Sequence, residues 1–385
     1  MTRRGFLIST LAVVVALATG ISAANGSAKR TTATTLNGAG SSFVYPLVTT
    51  WEPAFKSASG IGVGYQPIGS GAGIKAVTSR SVDFGASDAP LTPDQQTACN
   101  NCLTIPWAFS ATSIAYRGTG LPANLHITGA VLADIYLGNI KNWSAPALKK
   151  LNPKVKLPNK PITPIFRSDA SGTSYNFTQY LSSIAPVWGS KIGVGTQPNF
   201  PVGVGAPKSS GVAATLLKTD GGICYVDVAY ATTNHFNVFA VKNRAGKFVK
   251  PTPKPIQAAA NLITKAKADS SGLVLNVVDP PKPSLPKFKP ITTKNAAQKA
   301  KIIKHRQKLL AQARAKNKKL VIAYPICTFT YAVVPKAAKQ PAALKKFLTW
   351  ALKKGQTYGA PLYFVAIPKV VQKESLKLVN RIHQG

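Results

Sequence analysis

Acidic residues are what this chain has least of. Eleven Asp and Glu stand against 48 Lys and Arg in 385 residues, a formal net charge of +37. So few carboxylates leave no acidic cluster for a hard cation and no acid pair for hydrolytic acid–base chemistry. Histidine is scarce too. His126, His235, His305 and His383 all lie away from the glycine- and serine-rich turns, and no helix carries two of them at metal-binding spacing. A serine nucleophile needs a positioned base, and the Gly-x-Ser-x-Gly elbow is missing around Ser171. No catalytic residue, metal or cofactor is therefore expected.

Long apolar runs are equally absent. The longest, FLISTLAVVVALATG, falls short of the ~20 residues a spanning helix needs. Arg3 and Arg4 precede it, and Ser22, Ala23 and Ala24 follow. This is the order of a signal peptide, residues 1–28, and predicts a cleaved leader rather than an anchor. No cysteine follows to carry a lipid. The arginine pair hints at twin-arginine export without deciding the route. The expected location is exported, periplasmic or extracellular, and associated with the cell envelope.

The cysteines number four: Cys99, Cys102, Cys224 and Cys327. An exported chain meets an oxidising compartment, where an even count favours two disulfides. Cys99 and Cys102 form a C-x-x-C in a polar turn, without a second pair at zinc spacing or a thioredoxin-like setting. A structural clip is expected there, and by elimination Cys224 is expected to pair with Cys327. Both lie in short apolar segments that could run side by side.

What is present is an alternation of strand and helix signals. From Thr31 to Pro90 the text reads strand, helix, strand, helix, strand, and each strand ends in a glycine/serine turn. That order predicts an α/β fold with a parallel sheet and crossover helices, whose ligands sit at the carboxyl ends of strands. TIPWAFSATSIAYR is a long apolar strand leaving this unit. A second unit carries ITPIFR, the turn RSDASGTS, the helix GVAATLLKT and the strand ICYVDVAYA. PICTFTYAVVP returns towards the first unit, and PAALKKFLTWALKKGQ is amphipathic. Two lobes result: 33–110 with 322–385, and 111–321.

The turns point to an anion. Helix N-termini offer free N–H groups and partial positive charge. Gly40-Ser41-Ser42-Phe43, Gly69-Ser70-Gly71-Ala72-Gly73 and Ser171-Gly172-Thr173 each open a helix, and Arg167 adds a planar cationic fork. Any one turn alone is common; three with an arginine are not. Asp88 is the anomaly, because a carboxylate beside an anion repels it. It is tolerable where it accepts a proton the anion still carries, as hydrogen phosphate does and sulfate does not. Capping the turn before Ala89-Pro90 is the competing role.

GAGSSFVYPL, YQPIGSGAGIKAV, VDFGASDAPLT, ADIYLGNIKNW, FRSDASGTSYNFTQYL and GGICYVDVAYA, in that order, closely resemble the phosphate-binding proteins of high-affinity phosphate ABC transporters. The resemblance runs from about Leu36 to Ala231 and resumes at PICTFTYAVV. It implies a two-lobed periplasmic-binding-protein fold of type II, closing on one phosphate that is passed to membrane permease subunits. It also implies that Ser42 binds by hydroxyl, Phe43 by N–H, and Ser70 by both. Asp88 would accept the phosphate proton, Arg167 would pair with the oxyanion, and Ser171, Gly172 and Thr173 would donate. Asp169 would orient Arg167 without touching ligand. Gly71 stands where a second serine is frequent, so one donor is expected to be missing. A phosphate-processing hydrolase on the same fold, and a cationic wall-bound interaction protein, are the alternatives.

Residues 279–320 depart from that pattern. A proline-rich stretch precedes a helix-forming run, and Lys282 to Lys319 holds thirteen Lys or Arg and no acid. One reading is docking on an anionic wall polymer or lipid surface, with no specific nucleic acid implied. The other is a solvated helix packed by one narrow face, since blocks of like charge usually stay solvated. The chain is expected to be a monomer.

Overall fold

The computed structural model describes residues 34–385 apart from 101, 278, 280, 282 and 294. The expected signal peptide, 1–28, lies outside them. β1 (Thr35–Gly40), β2 (Gly62–Gln66) and β3 (Phe84–Ser87) run parallel, with α1 (Tyr45–Ser59) and α2 (Ser70–Thr78) as crossovers. The helical spacing of apolar residues in α1 buries Leu47, Val48, Trp51 and Phe55 against the sheet. Gly60, left-handed at φ 74°, ends it.

β4 (Cys102–Arg117) organises everything else. All of its residues but Arg117 are buried, which is why it reads as an unbroken apolar run. β5 (Thr163–Arg167) lies parallel to β6 (Val204–Ala206) and β7 (Gly222–Asp227), and the short β8 (Asn237–Val238) pairs with β4. β9 (Cys327–Pro335) returns antiparallel between β3 and β4. The sheet order is β2-β1-β3-β9-β4-β7-β5-β6, with β8 on β4. Cys102–Ala111 of β4 faces β9, whereas Thr112–Arg117 faces β7. One strand thus belongs to two half-sheets, and its partner changes between Ala111 and Thr112.

Each half-sheet has an aromatic centre. Trp51 meets Trp107 at 5.3 Å between centroids, and Phe84 meets Phe347 at 5.5 Å. In the other half Phe177 stacks on Tyr225 at 4.3 Å and meets Tyr136 at 4.9 Å. Large buried rings of this kind contribute roughly 0.5–1.5 kcal/mol per pair beyond their area. They fix the strands whose carboxyl ends carry the site loops.

Two expectations change. Cys99 and Cys102 are bridged, but Cys224 and Cys327 are separate, buried thiols. β4 runs between their strands: Cys224 sits opposite Ala115 and Cys327 opposite Ala111. The intervening strand forbids the bridge, since strands lie about 4.8 Å apart and two spacings exceed disulfide reach. Likewise, ICYVDVAYA is a strand only as far as Asp227. The Asp227 carboxylate accepts the N–H of Tyr230 at 3.1 Å and opens a short helix, α5 (Val228–Thr233), which follows α3 (Gly172–Ile184) and α4 (Lys208–Lys218).

The basic segment forms α6 (Ala296–Ile322), 27 residues long and about 40 Å from end to end. Asn295 caps its start, and the Asn243 carboxamide donates to the carbonyls of Leu320, Val321 and Ala323 at 3.0–3.2 Å. The partly buried positions Ile302, Arg306, Leu309, Ala313 and Asn317 recur at helical spacing on one narrow face. The proline-rich lead covers that face. Asn317 exchanges two bonds with Ser284, and the Arg306 guanidinium lies 5.2 Å over the Phe288 ring. The helix α7 (Pro341–Leu352) then closes the first half, burying Leu344, Phe347 and Leu348.

Candidate functional site

The loop after β1 supplies three groups. Ser41 Oγ donates to the Asp88 carboxylate, 2.6 and 2.7 Å from its two oxygens, and accepts the N–H of Phe43 at 3.0 Å. Ser42 points the other way, its Oγ 3.0 Å from Ser209 Oγ and accepting the Ser209 N–H at 3.0 Å. Ser70 opens α2, and its Oγ accepts the N–H groups of Asp88 at 3.4 Å and Gly172 at 3.2 Å. The Ser70 hydroxyl proton is directed at the Asp88 carboxylate.

Asp88 follows β3 and is 2 % exposed. Burial pushes its carboxyl up, against hydrogen bonds from Ser41, Thr330 and Ser70 and the charge of Arg167, to about 6. At neutral pH it is mostly ionised. Ser41, Thr330 and Ser70 bring one hydroxyl proton each to its four lone pairs, so an acceptor site remains.

Arg167 ends β5 and is 3 % exposed. Its Nε and Nη2 bond both oxygens of Asp169 at 2.7 and 2.6 Å, its N–H bonds Tyr225 Oη at 3.0 Å, and Nη1 reaches Ser209 Oγ at 3.4 Å. Burial works against the Asp169 carboxylate, but the Arg167 fork and the Lys208 N–H outweigh it and hold it below the ordinary range. Ser171 caps α3, accepting from the N–H groups of Thr173 and Ser174 at 3.1 and 3.3 Å. Thr173 Oγ1 is buried without a protein partner.

The two halves touch here. Gly71 N–H donates to Ala170 O at 2.9 Å, and Asn176 Nδ2 to Asp88 O at 3.3 Å. A Cβ on Gly71 would lie 2.5 Å from Ala170 Cβ, and one on Gly172 would lie 2.6 Å from Asp88 N. A side chain at 71 has no room, because the opposing turn occupies the place it would take.

All eight ligand positions inferred from the resemblance, and Asp169, lie in or beside this cleft. Sequence reading missed Ser41, Thr330, Asn176, Ser209 and Asp227. Two of these had signals. Lys208-Ser-Ser-Gly211 opens a helix just as the other serine/glycine turns do, and Asp227 is one of only eleven acids. Ser41 was hidden by its neighbour, because the pattern alone does not say which of two adjacent serines faces inward.

Chemically the cleft holds hydroxyl and N–H donors, one guanidinium and one ionised carboxylate placed to accept. Among the described residues no group of three His, Cys, Asp or Glu could hold a metal. Such a set suits a tetrahedral oxyanion that carries a proton.

Comparison with known proteins agrees. A family model described as a PBP superfamily domain matches residues 25–354. The phosphate-binding protein PstS of Xylella fastidiosa (strain Temecula1) is 32 % identical over 352 residues, covering 90 % of this chain and 85 % of its own length. This chain belongs to the PstS family of phosphate-binding proteins. The PstS protein of Pasteurella multocida is 31 % identical over 378 residues, covering 97 % of this chain and 94 % of its own. Among solved structures, a periplasmic phosphate-binding protein named PfluDING, bound with phosphate, superposes with a TM-score of 0.62 at 17 % identity, over 91 % of this chain and 99 % of that one. A phosphate-binding protein from Stenotrophomonas maltophilia gives 0.60 at 19 %, over 89 % and 93 %. These likenesses establish the two-lobed α/β fold of type II periplasmic binding proteins.

Proposed function

We propose that this chain is exported, binds inorganic phosphate between its lobes as a monomer, and delivers it to ABC permease subunits for import. Asp88 carries the reading: a buried carboxylate bonded to Ser41, close to the starts of α2 and α3 and within the field of Arg167, is repulsive to a bare anion and useful to a protonated one. Ser42, Phe43, Ser70, Ser171, Gly172 and Thr173 donate, the Phe43 and Gly172 N–H groups exchanging the serine oxygens they bond here for the anion. Arg167 pairs with the oxyanion, and Asp169 holds Arg167. The lobes are 33–110 with 322–385, and 111–321, supported by the partner change within β4; the stretch at Gly272 returns to touch Thr104 of the first lobe. No enzymatic step is proposed: among the described residues no histidine bonds a serine of the cleft, and the Asp88 carboxylate beside Ser41 is read as the acceptor of the anion's proton. Release of phosphate from simple esters by the purified chain would overturn that part.

The proton test is direct. Sites that bond a ligand group reject an analogue lacking it by roughly 10⁴ or more. Asp88→Asn should therefore relax selection of phosphate over sulfate in competitive calorimetry. In the native chain sulfate competition should grow as pH falls through about 6, where Asp88 takes up its own proton and ceases to accept. Unchanged sulfate exclusion in the variant contradicts the assignment.

A second site of action is α6. We propose that its exposed lysines dock an anionic cell-wall polymer, with anionic lipid vesicles as the control surface. The support is a charge of one sign along 27 residues whose apolar face is already covered by the chain itself.

A further inference from the structure

Ser209 is the second residue of α4 and is 1 % exposed. Its hydroxyl stands where both halves meet, 3.0 Å from Ser42 Oγ and 3.4 Å from Arg167 Nη1. Behind it lies the carboxyl of Asp227, also 1 % exposed. Oδ1 of Asp227 accepts the Tyr230 N–H, whereas Oδ2 is buried without a hydrogen-bond partner, and Ser209 is the hydroxyl near enough to stabilise the ionised carboxyl. An orphaned carboxyl oxygen beside a hydroxyl that faces the anion site calls for an account of both.

We propose that Ser209 is an additional anion ligand and that Asp227 is its positioning residue, deciding whether the Ser209 hydroxyl faces the anion as donor or as acceptor. The inference rests on the phosphate reading for its ligand. A serine hydroxyl has one proton and two lone pairs. Arg167 fills one lone pair, and Ser42, which shares a hydroxyl proton with Ser209 at 3.0 Å, turns its own proton to the anion on binding, freeing Ser209 from that bond. If Asp227 carries a proton it donates into the other, and the Ser209 proton is left for the anion. If Asp227 is ionised it draws that proton to itself, and Ser209 turns a lone pair on the anion. The balance is one proton on Asp227, lost to solvent.

The surroundings favour the protonated form at neutral pH. Burial pushes the carboxyl up; the Tyr230 N–H, Ser209 and Arg167 oppose it, Asp88 adds to it, and the result is about 8. Among other ionisable neighbours, Cys224 lies on the same strand and the Tyr230 phenol on α5, and burial holds both protonated. From β4 the residue opposite Asp227 is Thr112, and the turn Ala360–Leu362 beside α5 brings no ionisable side chain.

Calorimetry with inorganic phosphate at pH 7 and pH 9 tests this on native protein, Ser209→Ala and Asp227→Asn, with thermal melts to confirm folding. A hydrogen bond to a charged group corresponds to about tenfold to a hundredfold, so Ser209→Ala should bind that much more weakly at pH 7. The affinity ratio of Asp227→Asn to native should rise several-fold from pH 7 to pH 9, because the Asn amide donates at both. Titration of phosphate and of Asp88 cancels in that ratio. Should Asp227→Asn fail to fold, Ser209→Ala decides, and its deficit should shrink at pH 9. A deficit under twofold at pH 7, or a ratio flat with pH, overturns the proposal. Native protein that binds no phosphate at either pH overturns the phosphate reading instead.

Discussion

The anion cleft and the α6 arm are both charged, and they handle charge in opposite ways. The cleft gathers three of the eleven acids, Asp88, Asp169 and Asp227, around the one guanidinium of Arg167, all but Asp169 nearly fully buried. The arm carries nine Lys and Arg and no acid, almost all exposed. In the cleft a low effective dielectric makes every charge strong, so each needs a counterpart. On the arm, salt weakens each charge within a Debye length of ~10 Å, so only the sum is felt. A net charge of +37 therefore says nothing about selection at the site. In the function proposed above, selection comes from neutral donors and placed carboxyls, and the surplus charge acts from a distance.

Removing the cleft's single cation breaks this arrangement most severely. Arg167→Ala leaves Asp169 half-buried without its fork, and the anion without its counter-charge. Truncating one partner of a buried charge pair costs about 2–5 kcal/mol. Phosphate affinity should fall by that amount in calorimetry. Arg167→Lys should recover only part, since a point charge cannot bond both oxygens of Asp169 and still reach Ser209. Near-native affinity in Arg167→Ala would remove the cleft's side of the comparison.

How much of this was readable beforehand follows from the same contrast. The βαβ frame of β1 to β3 was legible because apolar periodicity and glycine turns are local signals. So was the turn around Arg167, where every residue type has one evident use. The residues missed depend on facts that arise only in three dimensions. Ser41 and Ser42 differ in direction, not type. Ser209 matters because α4 arrives at Ser42 from far along the chain. The Cys224–Cys327 pairing failed because β4 inserts between two strands that looked adjacent. Asp227 was legible as a rare acid, but the strand pattern around it hid the helix it caps.

Room in the cleft is a subtler requirement than charge. Gly71→Ser adds a hydroxyl donor beside the site, and a donor-counting view expects tighter binding. The 2.5 Å approach of Ala170 Cβ to the Cβ position says otherwise. Overpacking of this kind costs roughly 1–3 kcal/mol, and it falls on the contact between the two halves. Affinity should drop accordingly, and Ala170→Gly in the same chain should restore it. Tighter binding in Gly71→Ser alone would show that the opposing turn yields.

The smallest effect on phosphate affinity should come from the largest change in charge. Asp279 N–H bonds Pro325 O at 2.8 Å, so the two ends of the arm meet at its base. Residues 281–319 can then be replaced by a short Gly-Ser link without parting β9 from β4, while Leu320 and Asn243 stay in place. Surface changes away from buried features usually stay within about ±0.5 kcal/mol, and the equilibrium affinity should do the same. The arm's loss should appear elsewhere. Association with phosphate should slow and lose part of its dependence on ionic strength, as stopped-flow mixing at low and high salt can measure. Retention by an anionic wall polymer should fall sharply in co-sedimentation. If affinity collapses with the arm, charge at a distance is part of the site after all, and the division between cleft and arm fails; if polymer binding persists, the remaining surface lysines are the docking face.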